Sequence, residues 1–220
     1  MLDQGQLTVN GGTFTGNAAA DRGAIYSNAG IYAPQINDAT FVRNTAAGSG
    51  GAIYNNSSGN SINVNGSIFT GNRAADGGAI WEYGFGGVVT ASTFRGNSAG
   101  SGGALWLSEN SAEGFTDVVI RCNSAAADGG GIYNAAGGVD SLTTSTLSGN
   151  HAAGHGGGIY NQEDSSLVAA GSQIIRNRAP GGGGGIYDGP DIVVTLTSSP
   201  VTGNKPDNCE PPGSITGCTG

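Results

Sequence analysis

Short apolar stretches of three to five residues alternate with turn-forming residues along the whole chain. In each period, one stretch pairs an aliphatic residue with an aromatic one, as in Ile53-Tyr54, and a second alternates, as in Ile62-Asn63-Val64. A third is an apolar residue followed three positions later by asparagine. Glycine, asparagine, aspartate and serine separate the stretches. Runs this short, with period-two alternation, predict β-strands rather than helices.

The apolar-x-x-Asn stretch recurs eight times and defines a repeat of about 27 residues. Its asparagines are separated by 27, 28, 25, 26, 27, 27 and 27 positions. They are Asn17, Asn44, Asn72, Asn97, Asn123, Asn150, Asn177 and Asn204. Such fixed-period self-similarity is the signature of a solenoid. Three short strands per period predict an all-β parallel β-helix of about eight coils, in which equivalent strands pair at about 4.8 Å.

Stacked coils place equivalent residues above one another, which predicts three columns. The apolar residues Phe14, Phe41, Phe69, Phe94, Ile120, Leu147, Ile174 and Val201 should form an interior column. Because a buried amide must be hydrogen-bonded, the eight asparagines should form a structural ladder. The aromatic that follows each glycine-rich step should point outward, which gives the stripe Tyr26, Tyr54, Trp81, Trp106, Tyr133, Tyr160 and Tyr187.

Composition and charge exclude several classes of function. The chain has 43 glycines but no Gly-x-y period, which excludes collagen. Its net charge is −8. Its eight basic residues are spread thinly along the sequence and form no basic stripe, so we expect no nucleic-acid partner. No apolar run reaches the ~20 residues of a membrane-spanning helix. No residue pattern calls for a metal or a cofactor.

The motifs Gly50-Gly51-Ala52-Ile53 and Gly77-Gly78-Ala79-Ile80, alternating with Phe-x-x-Asn, resemble the repeats of the polymorphic outer membrane proteins. Gly102-Gly103-Ala104-Leu105 is a third copy. The resemblance covers nearly the whole chain and loosens in its second half. It implies a right-handed β-helix that is secreted or on the cell surface and serves as a non-enzymatic adhesion or recognition scaffold. A glycan or a host cell-surface molecule would be its partner.

Coils three and four depart from the pattern and supply the candidate ligand-binding residues. Exposed aromatic faces can stack on sugar rings, and adjacent carboxylates can bind hydroxyl groups. The candidates are Trp81, Glu82, Tyr83, Phe85, Trp106 and Glu109. A structural interpretation, in which these aromatics pack on one another, is the alternative. A second functional hypothesis is a polysaccharide-binding or polysaccharide-degrading protein, although Glu82 and Glu109 lie at different offsets from their tryptophans.

The end of the chain differs in composition from the repeats. We predict a repeat domain over residues 1–204 and a C-terminal cap over residues 205–220. In an exported protein Cys209 and Cys218 should form a disulfide. At the other end, Leu7 and Val9 occupy the repeat positions of Ile62 and Val64, so we expect the first coil to be incomplete and the chain to be a fragment.

Overall fold

A computed structural model describes residues 2–3, 6–28, 32–57, 61–84, 86–108, 113–135, 139–190 and 192–218. Every regular element in these ranges is a β-strand, and every strand pairs in parallel with its counterpart in the next turn. The result is a parallel β-helix of about seven turns, close to the eight predicted. The described residues contain no helix with the length and apolarity needed to cross a lipid bilayer.

Three long sheets form the walls of the rod within the described ranges. Sheet A carries the aliphatic-aromatic strands Leu2–Asp3, Ile25–Ser27, Ile53–Asn56, Ile80–Tyr83, Leu105–Leu107, Ile132–Asn134, Ile159–Asn161, Ile186–Asp188 and Cys209–Glu210. Sheet B carries Thr8–Asn10, Gln35–Asn37, Asn63–Asn65, Val88–Thr90, Gly114–Thr116, Val139–Thr143, Ser166–Ala170 and Val193–Thr197.

Sheet C contains the apolar-x-x-Asn strands. They are Thr13–Thr15, Thr40–Val42, Ile68–Thr70, Thr93–Arg95, Val119–Arg121, Thr146–Ser148, Gln173–Ile175 and Val201–Thr202. After the ladder asparagines, two-residue strands form short sheets at Ala18–Ala19 with Thr45–Ala46, and at Ser98–Ala99 with Ser124–Ala125 and His151–Ala152.

Period-two alternation decides which residues fill the rod. In sheet A the aliphatic residue points inward and the aromatic outward, as predicted: Ile53 is fully buried and Tyr54 is half-buried. In sheet C, Phe41, Phe69 and Phe94 are buried, and consecutive rings stack with centroids 4.7–4.8 Å apart. These spacings match the rise between turns, so this part of the core is built from identical side chains in register.

The asparagine ladder is confirmed and satisfies almost all of its own polar groups. The side-chain oxygen of Asn97 accepts hydrogen bonds from both the backbone N–H and Nδ2 of Asn72, at 2.9 and 3.0 Å. Nδ2 of Asn97 also donates to the carbonyl of Phe69 at 3.1 Å. The same pattern runs through every turn. It ends at Asn208, whose Oδ1 accepts from Asn204, a rung that the sequence analysis missed.

A second ladder lies at the corner between sheets B and C. The hydroxyl oxygens of Ser172 and Ser199 accept hydrogen bonds from the backbone N–H of Ser145 and Ser172 at 3.0 Å. The sequence analysis missed this column, although a serine stands five residues before its ladder asparagine in five turns. These serines are Ser67, Ser92, Ser145, Ser172 and Ser199.

Glycine is required where successive turns come closest. A Cβ on Gly103 would lie 2.2 Å from the carbonyl oxygen of Gly130 in the next turn. Another position, directly before each ladder asparagine, has a left-handed backbone, where an L side chain costs roughly 1–2 kcal/mol. Glycine occupies it in five turns, but Arg43, Cys122 and Arg176 take it in three, with φ of 50°, 54° and 55°.

The C-terminal segment packs on the last turn of the rod. Cys209 pairs with Ile186 in sheet A and forms the predicted disulfide with Cys218, across a sequence separation of 9. Ile215 is buried against the last turn. Disulfides are typical of proteins that mature outside the reducing cytoplasm.

Candidate functional site

The outward aromatics of sheet A form a continuous ladder on the outer face of the rod. Trp81 stacks on Tyr54 at 4.3 Å and on Trp106 at 5.2 Å between ring centroids, with both pairs within 7° of parallel. The stack continues through Trp106, Tyr133, Tyr160 and Tyr187. Because each ring face is covered by the next ring, an inner rung presents its edge to solvent, so it has no open face for a sugar.

A shallow cleft opens where this ladder meets Tyr83. Tyr83 lies beyond Trp81, nearly parallel to it, with centroids 6.4 Å apart and with 39% of its surface exposed. Trp81, Tyr83, Trp106, Asn56 and Ser108 line a cleft of about 350 Å³. The structure therefore brings together three of the six predicted ligand-binding residues. Phe85 and Glu109 lie outside the described residues.

The structure does not place Glu82 on this surface. We expected its carboxylate beside Trp81, but strand alternation turns it inward, and only 1% of the residue is exposed. Its Oε1 accepts a hydrogen bond from Nδ2 of Asn55 at 2.8 Å, and its Oε2 accepts one from the Ile62 backbone N–H at 3.4 Å.

Glu82 belongs to a cluster of buried acids with Glu113 and Asp140. Both residues are 2% exposed. Glu113 and Asp140 occupy neighbouring rungs, directly before Gly114 and Ser141 of sheet B. The Glu113 carboxyl lies beside Ser61 and Gly87 without a hydrogen bond of acceptable geometry, and a Cβ on Gly87 would come within 2.4 Å of its Oε2. Gly87 therefore provides the space that this carboxyl fills.

Burial sets the protonation of this cluster. It raises the pKa of Glu113 to about 7, although the neighbouring Ser61 and Gly87 oppose the shift. Burial is also the main reason why the pKa of Glu82 and that of Asp140 are well above their usual values, and the nearby Glu113 carboxyl raises both further. Among the described residues no group of three His, Cys, Asp or Glu side chains is arranged to hold a metal ion.

Most of the basic residues lie along one edge of the rod, which the sequence analysis did not predict. They are spread thinly along the sequence, but the 27-residue period brings seven of the eight to one edge of the rod. Each of the seven lies within two residues of a ladder asparagine and is exposed. They are Arg43, Arg73, Arg95, Arg121, Arg176, Arg178 and Lys205, and we call them the cationic edge. The prediction of no basic stripe was wrong because it considered spacing along the chain only.

Comparison with known sequences identifies the repeat. The family model of the Chlamydia polymorphic membrane protein repeat matches residues 38–56, 66–81, 91–108 and 144–162. In these four segments the β-helix is similar to the Chlamydia polymorphic membrane protein repeat. Three of the four matches lie between residues 38 and 108, where the Gly-Gly-Ala and Phe-x-x-Asn motifs are best preserved. No curated protein and no solved structure matched the chain.

The matched segments of the Chlamydia polymorphic membrane protein repeat contain the structural columns of the rod. The segment 66–81, for example, includes Phe69 of the core, Asn72 of the ladder and Trp81 of the aromatic ladder. These columns specify the scaffold. Tyr83 follows that segment, and most residues of the cationic edge occupy positions at which other turns carry glycine, serine or threonine. Tyr83 and the cationic edge therefore vary from turn to turn of this chain, and both lie on its outer surface.

Proposed function

We propose that this chain is a non-enzymatic recognition scaffold of a secreted or cell-surface protein. The four matches to the Chlamydia polymorphic membrane protein repeat carry this proposal, because they fall on the residues that stack the rod. The Cys209–Cys218 disulfide supports an oxidising, extracytoplasmic environment. A rigid rod with a short, regular rise suits the display of side chains at fixed spacing.

The cleft around Tyr83 is the contact surface that we propose for a glycan or a host cell-surface molecule. Tyr83 offers an exposed aromatic side chain, and Trp81 and Trp106 supply a wall on one side of it. Asn56 and Ser108 add polar groups at the rim. Aromatic walls with a few polar groups are common in binding sites.

Cleavage of a polysaccharide is not favoured as the alternative. Such a reaction needs two carboxyl groups at a defined separation on either side of an accessible bond. Glu82 and Glu113 are the paired carboxyls of this region, and both are enclosed by the wall of the rod.

A glycan array and a cell-binding assay test the proposal. The variant Tyr83→Ala removes the exposed ring, and we expect it to weaken binding at least about tenfold, as for other aromatic hot spots. Val193→Ser is the matched control, because it removes an exposed apolar side chain from sheet B, where 66% of Val193 is exposed. Equal loss in both variants contradicts the assignment of the cleft, and release of sugars from any polysaccharide contradicts a non-enzymatic scaffold.

A further inference from the structure

The cationic edge has a regularity that the stacking of the rod does not require. In each of the seven consecutive turns from Asn44 to Asn204, a basic residue lies within two positions of the ladder asparagine. Six turns carry arginine or lysine, and His151 supplies the remaining one. No acidic residue occurs within two positions of any ladder asparagine. In a chain with a net charge of −8, this edge carries positive charge in six of these seven turns.

Among the described residues, none of the seven cations of the edge forms an ion pair. The ion pairs found there are those of Arg22 with Asp21 and of His155 with Asp128. The acids that follow the edge in the chain are engaged elsewhere. Asp128 accepts hydrogen bonds from His155, and Asp207 accepts from the backbone N–H groups of Gly183 and Gly184. Within the part of the chain that the structure describes, the cations of the edge are therefore not paired with a carboxylate.

The edge exists despite two local costs. Arg95 and Arg121 are direct neighbours on adjacent strands, and Arg178 and Lys205 are likewise paired through their backbones in adjacent turns. Like charges at such positions destabilise a sheet. In addition, Arg43 and Arg176 adopt φ of 50° and 55° at a position that is glycine in five other turns. These are the kinds of unfavourable local arrangement that accompany functional surfaces.

A groove runs beside the central part of this edge. It has a volume of about 530 Å³, and Arg73 and His151 line it together with the intervening rungs Ser98 and Ser124. Its remaining walls are alanine and glycine, so it offers hydroxyl groups and an unobstructed path along the rod. A flexible, hydroxyl-rich chain is able to lie in such a groove.

We propose that the cationic edge binds an acidic polysaccharide that runs parallel to the rod axis. From Arg43 to Lys205 the edge covers six inter-strand spacings, or about 29 Å, which gives roughly one positive charge per 4 Å. Duplex DNA presents one negative charge per roughly 1.7 Å of its axis, which is far denser than this single line. An acidic polysaccharide has sparser charges and supplies hydroxyl groups to Ser98 and Ser124. This site lies on a different face from the Tyr83 cleft and does not depend on it.

The test uses surface-immobilised heparin, a sulfated polysaccharide, and a variant with four cations removed. Each substitution introduces a residue type found at the same position of another turn: Arg73→Ser, Arg95→Thr, Arg121→Ser and Arg178→Ser. The matched control adds four negative charges to the outer face of sheet B with Thr8→Glu, Val88→Glu, Thr143→Glu and Thr195→Glu, all at exposed positions. Both variants therefore change the net charge by the same amount.

We expect the edge variant to lose at least about tenfold in heparin affinity, since each exposed ionic contact contributes a fraction of a factor of ten. The wild-type affinity should fall as salt rises, with a smaller salt slope for the edge variant. The control should lose less than about threefold, because its charges lie away from the edge at roughly the screening length of physiological salt. Circular dichroism and a thermal melt establish that both variants are folded.

Any of the following outcomes would overturn the proposal. The wild type does not bind heparin at low salt, or it binds heparin with the same affinity as the edge variant. The edge variant and the control variant lose the same factor in heparin affinity. Duplex DNA displaces the protein from heparin at a lower charge concentration than soluble heparin does. Tyr83→Ala should leave heparin binding unchanged. Heparin loss by Tyr83→Ala alone would assign the binding to the cleft instead.

Discussion

Replacement of Glu113 by glutamine should stabilise this protein at neutral and alkaline pH. Burial raises the pKa of the Glu113 carboxyl from 4.5 to about 7. The folded state therefore holds this proton over a pH range in which the unfolded chain has released it. Stability then falls as pH rises from about 4.5 to about 7 and is constant above that range. Glu113→Gln has no proton to release at this site.

The size of the effect follows from the width of that pH window. The pKa of Glu113 differs by about 2.5 between its ordinary value of 4.5 and the value of about 7 in the folded protein. At about 1.36 kcal/mol for each pKa unit, this difference corresponds to roughly 3 kcal/mol of stability. We therefore expect Glu113→Gln to be about 3 kcal/mol more stable than the wild type at pH 8 and within about 1 kcal/mol of it at pH 5. The amide has nearly the same shape, and beside it lies the hydroxyl oxygen of Ser61, which has no hydrogen-bond partner among the described residues.

Urea denaturation followed by circular dichroism at pH 5, 6, 7 and 8 measures this effect. Glu163→Gln is the matched control, because Glu163 is exposed and the same charge is removed. Its denaturation midpoint should follow that of the wild type at every pH. A Glu113→Gln protein that is less stable than the wild type at pH 8, or a difference that does not change between pH 5 and pH 8, refutes the argument from burial.

Two further predictions concern the stacking of turns. Asn123→Ala should lower the free energy of unfolding by about 2–4 kcal/mol, because the backbone N–H and the Nδ2 of the buried Asn97 would both lose their acceptor. Urea denaturation measures this loss, with Thr143→Ala, at an exposed position, as the control. Gly103→Ala should prevent folding or displace a turn, since its Cβ would lie 2.2 Å from the Gly130 carbonyl oxygen. Gly114→Ala, whose nearest contact would be 3.5 Å, should retain the wild-type circular dichroism spectrum and melting temperature, and similar losses in both alanine variants would contradict the steric argument.

The candidate site could be predicted from sequence only in part. The tryptophans at Trp81 and Trp106 mark the departure from the tyrosine column, and the structure brings both to one cleft with Tyr83. The inward position of Glu82 follows from the same alternation that turns Trp81 outward, so the strand phase could have excluded it from the surface. The partnership of Glu82 with Glu113 could not be predicted, because it joins two sheets across a corner whose loop lengths vary.

Sequence alone determined the architecture of this protein. A period of about 27 residues, with three short strands and a buried asparagine in each turn, has few ways to satisfy its apolar and amide groups other than in stacked turns. The core phenylalanines, the asparagine ladder and the outward aromatics follow from that stacking. A cysteine pair after the last repeat likewise predicted the disulfide of the C-terminal segment.

The tertiary structure decided which charged residues become neighbours in space. Arg43, Arg73 and Arg95 stand at three different offsets from their asparagines, so no column of the aligned repeat contains all of them. They share an edge because the segment from two residues before to one residue after each ladder asparagine forms one corner of the rod. The buried acids behave in the same way, since Gly87 opens the space for Glu113 only when neighbouring turns are stacked. Charge interactions depend on distances in space, and the repeat fixes those distances only once the corners are folded.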